Sequence, residues 1–440
     1  MKAKAHSTAL LLARDPARPF PDGLRFVFLL FVYFLGMGSY LSSLSPYIVA
    51  AYGETSYQYF LASEMCYPAG YFLAGYLSDR TRQLRLFLVA GIALLAPAQF
   101  ALFSCAEFPT LTLGLSGLTR MLLAANLQLM SIAVLEAIGE GPYARMRSAG
   151  TIGFAVFQLT LWFLPELLLT TQSGIATADA PRLIIDAGQS GRAGAFAFLA
   201  CVPLALLVQR HRKSEERYRF ADALSFSLRP AHLALLGLSF VFYFNFQLVD
   251  NYLGRFWQLH TGGMQGVYGG WFLAVLLEIP FLYVAAKLAR STGIRTLIFL
   301  SAGAGALRFA WVAATVLGFE PVPAIYSQLL HGIHFTGYHI GVIYWLRSST
   351  PDHLYGSVYG LYNIITHSLG GMAGNVAFGA LLFSGIGATL FESMAGDAAT
   401  ASPELFGFLP VFLLAAVLNL GVIAGFVFLR APAWRTKAKN

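Results

Sequence analysis

Charged residues are scarce in this chain, 11% of 440 residues against 57% hydrophobic ones, and the mean hydropathy is +0.64. So few charges cannot coat a soluble globule of this size, which excludes a soluble domain and implies an integral membrane protein. Cysteine is scarcer still. Cys66, Cys105 and Cys201 lie inside apolar stretches at no metal-ligand spacing, so neither a disulfide framework nor a zinc site is expected. A phosphate loop, a nucleophile elbow and a paired zinc motif are also missing, which argues against an enzyme and against a bound cofactor. The first 24 residues are basic and contain proline, but they lack the apolar core and cleavage site of a signal peptide. The apolar runs lack the short alternation of an outer-membrane barrel, which leaves helices.

Apolar runs are what the chain does have, at the length of about 20 residues that crosses a hydrocarbon core. Twelve are expected, near 25–50, 56–77, 84–106, 109–136, 148–170, 192–209, 232–256, 265–288, 295–318, 322–346, 355–384 and 404–429. Lys and Arg concentrate at both termini and in every second connection, which places those segments, including both ends of the chain, on the cytoplasmic side of the inner membrane. Arg182 and Arg192 are the exceptions, expected in an outer loop. The net charge of +8 then reports topology and contact with the lipid bilayer rather than nucleic acid.

One inner connection is longer than the rest, "QRHRKSEERYRFADALSFSLRPAH", and divides the chain into two halves. The expected organisation is a cytoplasmic N-terminal segment (1–24), a six-helix lobe (25–209), a cytoplasmic inter-lobe loop (210–231), a second six-helix lobe (232–430) and a cytoplasmic tail (431–440). The halves repeat: "GYLSDRTRQLR" and "AKLARSTGIR" occupy matching connections, with Leu77 over Leu288 at an offset of 211 residues. Such duplication is the trace of a two-lobed transporter with its solute site between the lobes. Gly75, Leu77, Asp79, Arg80 and Arg85 resemble the cytoplasmic loop signature of the major facilitator superfamily, with Arg82 where that signature has glycine. The resemblance implies an all-α fold of twelve transmembrane helices in two pseudo-symmetric lobes, and a gating loop at Gly75, Asp79, Arg80 and Arg85 that latches onto the neighbouring lobe.

A closer resemblance lies in "LLEIPFLYVAAKLARSTGIRTLIFLSAGAGALRF", "QLLHGIHFTGYHIGVIYWL" and "RMRSAGTIGF", the last with Ala149 where the element has tryptophan. These are similar to the phenylpropionate permeases, the nucleoside:proton symporters and the galactoside:proton symporters. Its specific part is the ordered set Glu278, Arg308, Gln328, His331 and His339. Carried over residue by residue, it implies a substrate face of Arg147, Thr151 and Phe154, and a solute contact at Gln247. Asp250 stands where the nucleoside symporters have an amide.

The residues support parts of this directly. An unpaired carboxylate at mid-bilayer depth costs several kcal/mol, from roughly 3 upward. Glu278 must therefore face protein or water, pair with a cation such as Arg308 or with His331, or carry a proton. Burial favours its acid and a cation its carboxylate, a balance that suits a proton switch; a static buried ion pair that fixes helix packing is the alternative. Arg147, Thr151 and Phe154 recur at i, i+4 and i+7 and share a helical face, although Arg147 at the opening of span five also fits a positive-inside anchor. Glu64 and Arg120 are placed to pair within the first lobe, and Glu136 lies near the inner end of span four. His331, Phe335 and His339 share a face, with His334 beside them and no cysteine to complete a metal site.

The expectation is therefore a proton-coupled symporter working by alternating access as a monomer. Glu278, Arg308 and His331 carry the proton, and Arg147, Thr151, Phe154, Gln247, Asp250 and His339 bind a nucleoside or sugar. Uptake of an aromatic acid, efflux of drugs or metabolites, and a non-transporting receptor are the alternatives.

Overall fold

The computed structural model describes residues 22–81, 83–138, 140–167, 180–208, 220–351, 354–394 and 403–428. Long helices account for almost all of it. In the first lobe they are α1 (Asp22–Tyr52), α2 (Ser56–Thr81), α3 (Leu84–Leu102), α4 (Pro109–Ile138), α5 (Glu140–Phe163) and α6 (Ala180–Leu206). In the second they are α7 (Pro230–Asn251, continued by Leu253–Thr261), α8 (Met264–Leu276 and, after a break at Leu277, Glu278–Ser291), α9 (Ile294–Val316) and α10 (Leu329–Ser349). The last two are α11 (Tyr355–Asn363, a π turn over Ile364–Gly370, then Gly371–Leu382) and α12 (Leu409–Phe428). A short helix, Phe220–Ser227, precedes α7.

The two lobes repeat one packing scheme. In the first, α1 packs on α5 and α6, α2 on α4, and α3 on α4 and α6; in the second, α7 packs on α11 and α12, α8 on α10, and α9 on α10 and α12. The lobes meet along α1 with α7, α2 with α11, and α5 with α8. Each of these pairings maps onto one of the same set when every helix is advanced six places, so the boundary is itself pseudo-symmetric.

Large apolar side chains on the outer faces are exposed, among them Leu94, Phe196, Leu307 and Val417, while Ser39, Ser43, Gln99 and Asn245 are buried. That is the polarity expected in lipid, where small and polar residues join helices to each other. Ser39 Oγ donates to Ser190 O (2.6 Å), and Gln99 Nε2 to Gly191 O (2.8 Å), tying α1 and α3 to α6. Arg25, Arg85, Lys287, Arg295 and Arg347 all fall at the end where α1 begins, termed here the basic end. Glu54, Glu107, Glu320 and Glu404 fall at the other.

Two expected boundaries move. Helix α5 starts at Glu140 rather than 148, so Arg147 lies two turns inside it instead of opening it. Helix α6 starts at Ala180 rather than 192, so Arg192 is not in a loop; its Nη1 donates to Phe103 O at the C-terminal end of α3 (2.7 Å). The cause is that Asp186, Ser190 and Arg192 turn inward against other helices, which makes the first turns of α6 look like a polar connection in sequence. Among the described residues, seven stretches are long and apolar enough to cross a membrane by composition alone, and one of them runs through α1 into α2. Helices α5, α6, α10 and α11 fall short of that test. They carry polar residues on faces that meet protein.

Candidate functional site between the lobes

Helix α5 approaches α1 at backbone contact. A Cβ at Gly153 would sit 2.0 Å from Phe31 O, and one at Gly150 would sit 2.6 Å from the Phe34 ring. This closeness lays the Arg147 guanidinium over Phe34, 4.2 Å from the ring centroid. Arg147 Nη1 also donates to Thr151 Oγ1, one turn along the same face (3.2 Å). Phe154 continues that face and meets Trp271 of α8 edge to face, ring centroids 5.7 Å apart.

On the facing lobe, Glu278 opens the second segment of α8. Pro280 lacks the N–H that would bond to Leu276, which accounts for the break. Helix α10 crosses α8 at this point, since a Cβ at Gly332 would lie 2.5 Å from Glu278 N. The Glu278 carboxylate is buried and faces α5, where Thr151 Oγ1 donates to its Oε1 at 2.8 Å. Arg147, Thr151 and Glu278 therefore form a relay of hydrogen bonds across the lobe boundary. A second cross-boundary bond joins Ser148 Oγ and Tyr283 Oη (3.1 Å).

This corrects the expected partner of Glu278. Arg308 is wholly buried in the second lobe, where Nη1 donates to His331 Nδ1 (3.0 Å) and Nη2 to Gln328 Oε1. Helical periodicity puts Glu278, Arg308 and His331 at similar depth, but the break in α8 turns the carboxylate toward α5 instead of α9. The histidines also separate. The rings of His331, Phe335 and His339 stack down one face of α10 at 5.9 Å and 5.4 Å, while His334 Nε2 donates to Asn419 Oδ1 of α12 (3.1 Å).

A further polar group lies along α2, α4, α7 and α11. The expected pair forms, Arg120 Nη2 to Glu64 Oε1 at 3.1 Å, with the guanidinium over Tyr67 at 4.7 Å. Asn251 Nδ2 donates to Gln247 Oε1 and to Asn375 Oδ1, both at 2.7 Å. In the loop expected to gate, Arg85 Nη1 donates to Leu206 O of its own lobe (3.2 Å) rather than across the boundary. The side chains of Asp79, Arg80, Glu136 and Asp250, and the surroundings of Gly75, lie outside the described residues.

Phe34, Trp271, Asn375 and His367 escape the sequence reading. Phe34 and Trp271 are two aromatics among many, with no local signal. Asn375 is one of two amides, with Asn363, in a glycine-rich helix, and His367 lies in the π turn, a feature often found at functional positions; both carried a signal that could have been used.

Among solved structures, the nucleoside transporter NupG has a TM-score of 0.71 at 15% identity, covering 95% of this chain and 100% of that one. A D-xylose-proton symporter follows at 0.67 and 12% identity, covering 92% and 98%. At these identities the likeness is one of fold. "Putative nucleoside transporter YegT" of Escherichia coli (strain K12) is 25% identical over 269 residues, 59% of this chain and 62% of that protein. The MFS_1 like family matches residues 25–392, and with twelve helices in two repeated lobes around a polar boundary the chain belongs to that family: it is a major-facilitator transporter and not an enzyme.

Proposed function

We propose that the protein is a monomeric proton-driven symporter that takes up a nucleoside or a sugar across the inner membrane by alternating access, with both termini cytoplasmic. The observation that supports this most is the Arg147–Thr151–Glu278 relay, which puts a guanidinium of one lobe and a carboxyl of the other into one shared contact. As a carboxylate, Glu278 accepts the Thr151 hydroxyl and ties the lobes together at mid-helix. A proton on Glu278 removes the negative charge that holds this bond and lets Thr151 and Arg147 turn to the solute. A neutral polyhydroxylated or ringed solute then occupies the space between Arg147, Thr151 and Phe154 on one side and Gln247, Glu278 and His339 on the other. The basic end faces the cytoplasm by the distribution of Lys and Arg, and the membrane potential contributes about 2.3 kcal/mol per charge for each 100 mV.

Arg308 and His331 act in this scheme from behind α8, as the polar support of α10. Arg308 is engaged with His331 and Gln328 inside its own lobe and is withdrawn from a solute between the lobes, which disfavours an anionic aromatic acid. The test is uptake into proteoliposomes under an imposed pH gradient with labelled uridine, xylose and phenylpropionate. Uridine or xylose should accumulate only when protons run with it, and Glu278→Gln should abolish accumulation while leaving solute exchange in place. Accumulation by Glu278→Gln equal to the parent's would remove the proposal.

A further inference from the structure

Gln247 is one of the residues that line the proposed solute space, and glutamine is among the most flexible of side chains. Its surroundings remove that freedom. Helices α7 and α11 run at backbone contact here: a Cβ at Gly374 would sit 2.2 Å from Phe244 O, and one at Gly370 would sit 2.9 Å from Phe240 O. This brings Asn375 of α11 against the end of the first segment of α7, where Asn251 lies one turn beyond Gln247 on the same face. Asn251 Nδ2 donates one hydrogen to Gln247 Oε1 and the other to Asn375 Oδ1, both at 2.7 Å. Three buried amides thus form a ladder that starts on α11 and ends on Gln247.

Asn375 is held to α7 a second time, because Tyr252 Oη donates to its main-chain carbonyl at 3.0 Å. That bond uses no side-chain atom of residue 375 and is open to any residue there. The asparagine side chain is a poor device for stability: its Nδ2 is buried without a hydrogen-bond partner among the described residues, a cost that an apolar side chain would avoid. Packing therefore accounts for the contact between the helices but not for an amide at 375. What the amide does is accept from Asn251.

We infer that Asn375 is a positioning residue for solute binding: through Asn251 it fixes the Gln247 amide with Oε1 engaged and Nε2 left to donate to an oxygen of the solute. This rests on the reading above, in which Gln247 faces the solute, and adds the two residues that hold it there. An amide ordered before the solute arrives spares the cost of ordering it on binding. The ladder therefore acts on affinity, although neither Asn251 nor Asn375 touches the solute.

The experiment measures binding of uridine and of xylose to the purified full-length protein by calorimetry, for the parent, Asn375→Leu, Gln247→Met, the two combined, and Tyr252→Phe. With whichever probe the parent binds, Asn375→Leu should weaken affinity about fivefold, the worth of one neutral hydrogen bond. Gln247→Met keeps the reach of the side chain and removes the amide; adding Asn375→Leu to it should cost less than about twofold, because the ladder then has nothing to position. Tyr252→Phe loosens the same helix contact without touching the ladder, so it should lower the melting temperature and hold affinity within about twofold of the parent's. Parental affinity in Asn375→Leu overturns the assignment. So does the same loss in both backgrounds, or a loss in Tyr252→Phe as large as in Asn375→Leu, either of which marks a structural role. A parent that binds neither probe overturns the solute reading and the inference with it, and that failure is visible without any variant. Parental affinity in Gln247→Met, for a probe the parent does bind, leaves the symporter reading standing and overturns the inference alone.

Discussion

Thr151 Oγ1 of α5 and Glu278 Oε1 of α8 lie 2.8 Å apart, one on each lobe. In the proposed alternating-access cycle a bond of this kind is made or lost as a whole, because its two partners belong to different lobes. It also depends on protonation, since the hydroxyl that donates to a carboxylate meets a neutral acid as a much weaker acceptor. In the proposed cycle, conformation and proton are thereby coupled at a single contact.

Thr151→Val keeps the volume of the side chain and removes the hydroxyl. The relay from Arg147 is then cut, and concentrative uptake under an imposed pH gradient should fall about tenfold or more, the range for a hydrogen bond to a charged group. Thr151→Ser restores the donor and should restore most of the rate. Equal initial rates for parent and Thr151→Val would show that the hydroxyl carries nothing.

Arg147 combines a single hydrogen bond to Thr151 with a ring beneath it. Lysine supplies the charge without the planar fork, and the two are not interchangeable at such a site. Solute affinity by calorimetry should drop about tenfold in Arg147→Lys and vanish in Arg147→Ala. Lysine at parental affinity would mean that charge alone suffices.

Much of this architecture was legible in the sequence, and the reasons differ from part to part. Twelve apolar runs and a repeated loop show the two-lobed bundle because lipid imposes length and polarity on every span. Glu278 stands out because a carboxylate in an apolar run is costly wherever it points. Its partner was not legible: periodicity assigns a residue to a face of its own helix but not to the helix that face meets, and the choice between Arg308 and Thr151 is made by the break at Leu277. The start of α6 was hidden for a related reason. Asp186 and Arg192 are buried or half-buried between helices, and a polar face turned inward has the same composition as a loop.

The displacement of Arg308 from Glu278 has a measurable consequence. Gln328→Leu removes an acceptor from the buried guanidinium and leaves an N–H without its partner, a loss of about 1–3 kcal/mol. The melting temperature in detergent should fall by several degrees. The pH dependence of uptake should stay that of the parent, since the Thr151–Glu278 contact is untouched. A shifted pH profile would return Arg308 to the coupling machinery.

Trp162, at the end of α5 away from the basic end, ties α5 to α8 across the boundary there. Its carbonyl accepts Gln265 Nε2 of α8 at 2.7 Å, its ring meets Phe272 at 5.7 Å, and a Cβ at Gly269 would sit 2.9 Å from the indole. The indole fits because residue 269 has no side chain. Gly269→Leu should displace the ring and hold α5 and α8 apart at this end, while Gly269→Ala asks for a much smaller shift of the same ring. Spin labels at Leu164 and Thr261, both exposed, report the opening in a background without Cys66, Cys105 and Cys201. The distance between them should be longer in Gly269→Leu than in the parent and nearly unchanged in Gly269→Ala, with uptake falling in the same order. A closed distance in Gly269→Leu would show that the indole finds another seat and that this end of the transporter is sealed elsewhere, by α1 against α7 or α2 against α11.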